Sequence, residues 1–268
     1  MINLPVVVKK NYIYSVRAGD TLYSIARRFG SSVDTIVQAN HLFEPVSYTG
    51  YIFPGNVLVV PRLLEVGKVT YMVNLGDTVG GIAYRFSAFP DLVAGINNLS
   101  NPNYIFVNQG LVVPAFIYQI QGGDTLSSIS HRFGISISAI TKANQNRPGF
   151  QGDLIWAEYY LILPLPTSRN IVVWSPFPGT RIVHHQRIEG QARAFEANVL
   201  HQLRDTNGII VSHERFTTAD IGAPDYGRFA STLPFDRTPT SNTGELWVYT
   251  RSAKDGSIQD LVRTTIYF

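Results

Sequence analysis

One short unit occurs three times before residue 166, and that repetition constrains the fold more than any other feature of the chain. Gly-Asp-Thr stands at Gly19-Asp20-Thr21, Gly76-Asp77-Thr78 and Gly123-Asp124-Thr125. Counted from each Asp, an apolar residue follows at +2 (Leu22, Val79, Leu126) and Ile at +5 (Ile25, Ile82, Ile129). Arg stands at +8 (Arg28, Arg85, Arg132), Phe at +9 (Phe29, Phe86, Phe133) and Asn at +20 (Asn40, Asn97, Asn144). A Tyr lies six before each Asp, at Tyr14, Tyr71 and Tyr118. Each copy closes on an apolar triplet and proline, the first as Leu58-Val59-Val60-Pro61.

The spacing predicts a β-α-α-β unit. Tyr14 and Val16 alternate as a short strand, and Gly19 turns the chain out of it. Asp20 is expected as the N-cap of a helix in which Leu22, Ile25, Ala26 and Phe29 form one apolar stripe. Gly30 ends it, Ser32 caps a second helix, and Asn40 suits a left-handed stop. Ile52 to Val60 is expected to return as a strand. The recurring Arg is expected to cap carbonyls at a helix C-terminus.

After the proline-containing stretch Pro164-Leu165-Pro166-Thr167-Ser168, expected as a stiff linker, the helical period vanishes. Seven strand-like runs follow: Ile171–Trp174, Arg187–Ala192, Phe195–Leu203, Ile209–Phe216, Arg228–Phe235, Glu245–Arg251 and Leu261–Phe268. Gly, Pro and Asn turn signals separate them, which predicts an antiparallel β-sandwich. The inward set changes parity between Ile188/Gly190/Ala192 and Phe195/Ala197/Val199, so a bulge or corner is expected near Ala194.

The repeated pattern resembles the LysM family over residues 12–62, 69–115 and 116–165. Residues 169–268 resemble the immunoglobulin-like domain family associated with bacterial spore germination, through Trp174-Ser175-Pro176-Phe177-Pro178-Gly179, the run Gly190 to Ala197, Gly227-Arg228-Phe229 and Ser252 to Ser257. The expected fold class is therefore α+β, three small βααβ LysM modules, plus an all-β immunoglobulin-like sandwich.

The LysM resemblance implies binding of N-acetylglucosamine-containing glycan, either peptidoglycan or chitin, in a shallow groove between two loops. Carried onto this chain, the first loops are Gly19-Asp20-Thr21-Leu22, Gly76-Asp77-Thr78-Val79 and Gly123-Asp124-Thr125-Leu126. The second loops include Ile52-Phe53, Ile105-Phe106 and Ile155-Trp156. An N-acetyl group offers an amide for backbone hydrogen bonds and a methyl for an apolar floor, while a ring can cover a sugar's C–H face. Against this stands the plainer reading, in which Gly-Asp-Thr is turn plus cap and the rings cover core. The second copy departs furthest, with Val79 for Leu, Gly80-Gly81 early in its helix and Phe89-Pro90 in place of the Ser cap. In the third, Trp156-Ala157-Glu158-Tyr159 replaces Phe53-Pro54-Gly55-Asn56, so a different turn is expected.

The absence of cysteine excludes thiol peptidases and thiolate metal sites. A net charge of +3 argues for no nucleic-acid partner, and no apolar run of membrane-spanning length exists. Met1–Lys10 places its bases after a short apolar stretch, the wrong order for a secretory signal; either that route is not used or a signal has been removed. A glycoside-hydrolase barrel needs ~250 residues. The remaining candidates are His184, His185, His201 and His213 with Glu189, Glu196 and Glu214. No pair has His-x-x-x-His spacing, and the adjacent His184 and His185 are expected on opposite faces of a strand. Glu196, among apolar neighbours, is either a raised-pKa acid or an exposed strand or ion-pair position.

The expectation is a noncatalytic, multivalent glycan binder with no cofactor and no metal, anchoring its sandwich on the cell wall or spore envelope. Its rivals are an assembly factor that contacts spore-envelope proteins and a small zinc-dependent wall hydrolase.

Overall fold

The computed structural model describes residues 5–46, 50–152 and 154–268; Met1–Leu4, part of the stretch weighed as a signal, lie outside the described residues. The first repeat forms strand β1 (Lys9–Ser15), helices α1 (Leu22–Phe29) and α2 (Val33–Asn40), and strand β2 (Val57–Val66). The second forms β3 (Thr70–Met72), α3 (Val79–Arg85), α4 (Pro90–Ile96) and β4 (Gly110–Val112). The third forms β5 (Ala115–Gln119), α5 (Leu126–Phe133), α6 (Ile137–Ala143) and β6 (Tyr160–Pro164). Each is the β-α-α-β unit that the spacing predicts. The return strand is shorter at its start than expected: Ile52–Asn56 is loop, and β2 begins at Val57 and runs on to Val66.

The chain divides into two compact units. One holds the residues up to Ser87 with Asn101–Ser130 and Ile135–Pro164; the other holds Ala88–Ser100, His131–Gly134 and Leu165–Phe268. Within the first, β1 pairs antiparallel with β2 and parallel with β3, giving a four-stranded sheet in the order β2-β1-β3-β4. Repeats one and two thus share a sheet, in the register Tyr12 to Thr70 and Ile13 to Tyr71. β5 and β6 form their own antiparallel pair, and the segment Pro5–Val7 adds to β5 through Val7 N–H to Ile117 O and Gln119 N–H to Pro5 O.

The apolar stripe of repeat one does what its period requires. Leu22, Ile25, Ala26 and Phe29 are buried with Tyr14, Val16, Ile36, Leu58 and Val60 in one cluster. The Asn at +20 is not the left-handed stop; His41 (φ 51°) takes that role. Asn40 is instead fully buried, donating from Nδ2 to Val59 O (2.7 Å) and Ile36 O (2.8 Å) and accepting from Val59 N–H (2.8 Å). Asn144 repeats the pattern on Ile162. This residue stitches a helix end to a strand inside the core, which an amide can do because it both donates and accepts.

A buried arginine joins repeats one and three. Arg147 is 4% exposed and donates from Nη2 to Asn40 Oδ1 (2.9 Å), and from Nη1 to Asn144 Oδ1 (3.0 Å) and to Tyr160 O. Its guanidinium lies 4.3 Å over the Tyr159 ring. Burial lowers its pKa to about 10, which still leaves it charged at neutral pH.

In the second unit, β7 (Ile171–Ser175), β8 (Gln186–Ala192) and β11 (Gly227–Leu233) form one sheet in the order β11-β8-β7. β9 (Asn198–Asp205), β10 (Ile210–Thr218), β12 (Thr243–Arg251) and β13 (Ile258–Tyr267) form the other, in the order β10-β9-β12-β13. Every pairing is antiparallel, and Ile171, Ile188, Val199, Leu203, Leu246 and Val262 belong to the buried core they enclose. The expected corner is present, but Phe195–Ala197 is a 3-10 turn with Glu196 and Ala197 at φ 52° and 58°, so the strand starts only at Asn198. The boundary between the two units falls at Pro164 and Leu165, within the expected stiff linker, whose later residues are paired. Thr167 bridges to Val172, Leu165 and Ser168 are buried, and Ser168 Oγ accepts from Ile171 N–H (3.0 Å).

Candidate functional site

Each first loop begins as a tight turn. Asp20 N–H bonds to Arg17 O (3.1 Å), Asp77 N–H to Asn74 O (3.2 Å) and Asp124 N–H to Gln121 O (3.1 Å). The third turn residue is Gly19, Gly76 or Gly123, at φ 83°, 86° and 86°. A side chain is disfavoured at that φ, which accounts for the Gly of the motif.

The Asp is not the helix N-cap. Asp20 Oδ2 accepts from Arg17 N–H (2.8 Å) and from Tyr14 Oη–H (2.6 Å), Asp77 Oδ2 from Asn74 N–H (2.6 Å) and Tyr71 Oη–H (3.0 Å), and Asp124 Oδ2 from Gln121 N–H (2.9 Å) and Tyr118 Oη–H. The Tyr six residues earlier therefore latches the loop to its strand. Burial, and then the Asp77 carboxylate, push Tyr71 up to about 12, so the phenol keeps its proton and donates.

The N-cap is the Thr. Thr21 Oγ1 accepts from Ser24 N–H (3.0 Å) while Ser24 Oγ accepts from Thr21 N–H (3.0 Å), a reciprocal box that Thr125 and Ser128 repeat. In repeat two the partner position is Gly81, whose N–H donates to Thr78 Oγ1 (3.0 Å) with no side chain to return the bond.

The recurring Arg has no single role. Arg28 Nη1 donates to Tyr14 Oη (2.8 Å) and pairs at 3.8 Å with Asp20, rather than capping its own helix. Arg85 does cap carbonyls, but those of another repeat: Ala143 O (3.1 Å) and Gln145 O (2.8 Å) at the end of α6.

The second loop closes against the root of the first. Val16 N–H bonds to Asn56 O (2.8 Å) and Gly55 N–H to Val16 O (2.9 Å); Val73 makes the same pair with Gln109 and Asn108, and Ile120 with Tyr159 and Glu158. Gly55, Asn108 and Glu158, unlike in sequence, all take positive φ at this point (92°, 72° and 68°). The turn of repeat three is thus the same backbone turn, against expectation. What it lacks is the side-chain stitch, Phe53 N–H to Asn56 Oδ1 (2.9 Å) and Phe106 N–H to Gln109 Oε1 (2.9 Å), because Tyr159 has no amide.

The candidate residues separate by exposure. Leu22, Val79 and Leu126 are buried and form the floor below the loops. Gly19, Thr21, Gly76, Thr78, Gly123 and Thr125 are exposed, and Ile52, Ile105 and Ile155 are half-buried. Phe53 and Phe106 stand 61% and 70% exposed, flanked by Tyr51 (62%) and Tyr104 (69%). Trp156 differs: it is half-buried, donates from Nε1 to Gly149 O (3.1 Å) and stacks on His41 of repeat one. Tyr51 and Tyr104 precede the Ile-aromatic pair in repeats one and two and were not among the expected residues; Leu154 at that place in repeat three breaks the sequence signal.

The histidine candidates of the sandwich do not converge. His184 and His185 lie in a turn, not on a strand, and their rings meet at 4.0 Å. His201 is buried on β9 with Nε2 2.8 Å from Ser231 Oγ, and His213 is exposed. Glu214 is held by Arg251 and Tyr249, Glu189 by Arg187, and Glu196 is an exposed turn residue rather than a strand position. Among the described residues no three His, Asp or Glu gather as a metal site, and no helix is long and apolar enough to cross a membrane.

The LysM domain model matches residues 14–61, 71–114 and 118–159, and the model of the immunoglobulin-like domain of bacterial spore germination matches 170–257. The N-acetylmuramoyl-L-alanine amidase sle1 of Staphylococcus saprophyticus is 29% identical over 156 residues, 49% of this chain and 46% of its own length. The autolysin of Enterococcus faecalis is 28% identical over 198 residues, 60% of this chain and 26% of its own. Among solved structures, the Bacillus cereus spore cortex-lytic enzyme SleL aligns at 32% identity and a TM-score of 0.30, over 39% of this chain and 23% of SleL. The chain spans less than half the length of each of these relatives.

Proposed function

Because the chain belongs to the LysM family, with three copies of that domain ahead of an immunoglobulin-like domain of bacterial spore germination, we propose that it is a noncatalytic, multivalent binder of N-acetylglucosamine-containing glycan. The observation that carries this reading is the pair of solvent-exposed rings, Phe53 and Phe106, on second loops whose backbones bond to the roots of the latched Gly-Asp-Thr loops. A stiff loop with an uncovered ring is organised for a ligand before one arrives, which lowers the ordering cost of binding.

The glycan residues of this proposal are Gly19, Asp20, Thr21, Leu22, Ile52 and Phe53 in repeat one and their counterparts Gly76, Asp77, Thr78, Val79, Ile105 and Phe106 in repeat two. Gly123, Asp124, Thr125, Leu126, Ile155 and Trp156 complete the set in repeat three. Module limits of 12–62, 69–115, 116–165 and 169–268 belong to the same proposal. Peptidoglycan is the favoured polymer, since the relatives include an N-acetylmuramoyl-L-alanine amidase and an autolysin; chitin-type glycan shares the N-acetyl chemistry. The sandwich would be the cargo held at the cell wall or spore envelope. Linked weak sites gain ~10²–10⁴ in avidity when their spacing suits the polymer.

Co-sedimentation of the purified chain with insoluble peptidoglycan and with chitin tests the reading. Retention on peptidoglycan is expected, without release of soluble fragments. A chain left in the supernatant of both polymers contradicts binding, and fragment release contradicts the noncatalytic part.

A further inference from the structure

We infer that repeats one and two form a single extended glycan site, held in register by Arg17. This rests on the glycan-binding reading above. The parallel pairing of β1 with β3 makes both first loops leave the same edge of one sheet. Arg17 then spans the two repeats at the loop roots. Its Nε donates to Asn74 Oδ1 (3.1 Å), its Nη1 to Asn108 Oδ1 (2.7 Å) and its Nη2 to Val73 O (3.2 Å). Val73 and Asn74 lead into the first loop of repeat two, and Asn108 closes its second.

The corresponding positions in repeats two and three are Asn74 and Gln121, too short to reach across as Arg17 does. In all three the backbone N–H serves the Asp latch, so the Arg side chain is an addition peculiar to repeat one. A recess of about 610 Å³ lies at the junction, lined by Arg17, Ala18 and Asp20 from repeat one and Met72 and Asn108 from repeat two. Three of the five guanidinium N–H groups are used in the strut, and no carboxylate pairs with Arg17 among the described residues. The ligand class is therefore a glycan chain long enough to leave one groove, cross this recess and enter the next.

Arg17 is a positioning residue: it fixes the second groove relative to the first, and so sets the effective concentration of one for a chain held by the other. Calorimetric titration of the whole protein with N-acetylglucosamine oligomers, from the trimer to the octamer, tests this. Affinity is expected to rise on the order of 10²-fold once an oligomer spans both grooves. Arg17→Ala should remove most of that rise while the trimer, which fits within one groove, still binds, which loss of fold would not allow. Asn108→Gly keeps the left-handed backbone while deleting the 2.7 Å bond, and should reduce the rise in the same sense. Affinity independent of length, or a rise that survives both substitutions, overturns the composite site while leaving single-groove binding in place. Failure of every oligomer to bind overturns the glycan reading as well.

Discussion

The indole of Trp156 stacks on the imidazole of His41, with ring centroids 5.0 Å apart and planes 17° apart. One is the aromatic of the second loop in repeat three; the other is the left-handed cap of α2 in repeat one. Burial lowers the His41 pKa, so the ring in the stack is the neutral imidazole at pH 7. The ring that is free in repeats one and two is thus engaged in repeat three.

That difference separates three substitutions. Trp156→Ala loses the stack and the hydrogen bond to Gly149 and is expected to cost about 1–3 kcal/mol of stability. Phe53→Ala and Phe106→Ala remove exposed rings and should stay within about 0.5 kcal/mol. Urea unfolding of the three variants against wild type measures it.

Asp77→Ala strands the Asn74 N–H and the Tyr71 hydroxyl together, and is expected to destabilise by about 1–3 kcal/mol. If the Asp were an ordinary N-cap, Thr78→Ala would be silent. In this fold Thr78→Ala should itself cost about 1 kcal/mol, because Thr78 is the cap.

Much of this was legible in the sequence. The helical stripe, the β-α-α-β order and the corner near Ala194 follow from periodicity, which reports burial directly. The Tyr-to-Asp spacing of six was visible as a pattern, but its meaning was not, since nothing in spacing distinguishes a latch from a cap. The same holds for Asn40 and Asn144, whose amides face a strand nineteen or eighteen residues on. Arg17 and Arg147 carry no signal in the repeat spacing, because Arg17's side-chain partners and the Asn40 partner of Arg147 come from other repeats. Gly55, Asn108 and Glu158 share one backbone conformation with three different side chains, so no residue signal marks it.

Arg147 should be among the least replaceable residues of the first unit. Arg147→Leu keeps the apolar stem but removes the charged donor from Tyr160 O, Asn40 Oδ1 and Asn144 Oδ1, the two amides keeping only Val59 N–H and Ile162 N–H. With hydrogen bonds to a charged group worth about 1.5–3 kcal/mol each, a loss of about 3 kcal/mol or more is expected by denaturant titration.

His201 supplies a pH dependence with a defined sign. Burial, and then the charge of Arg215, lower its pKa to about 4, against ~6.5 for a free histidine. The unfolded chain takes up the proton first, so the neutral ring's contribution is intact above pH ~6.5 and is lost progressively as pH falls toward 4. The loss reaches about 3 kcal/mol. Thermal unfolding at pH 7 and pH 4.5 should show it, and His201→Gln should flatten that difference.

The central claim is that the exposed rings of repeats one and two bind glycan. Its most direct test is co-sedimentation of the Phe53→Ala/Phe106→Ala double variant with insoluble peptidoglycan, alongside its melting temperature. The expected result is loss of most of the retention seen for wild type, at an unchanged melting temperature. Retention equal to wild type by a folded double variant would contradict the account.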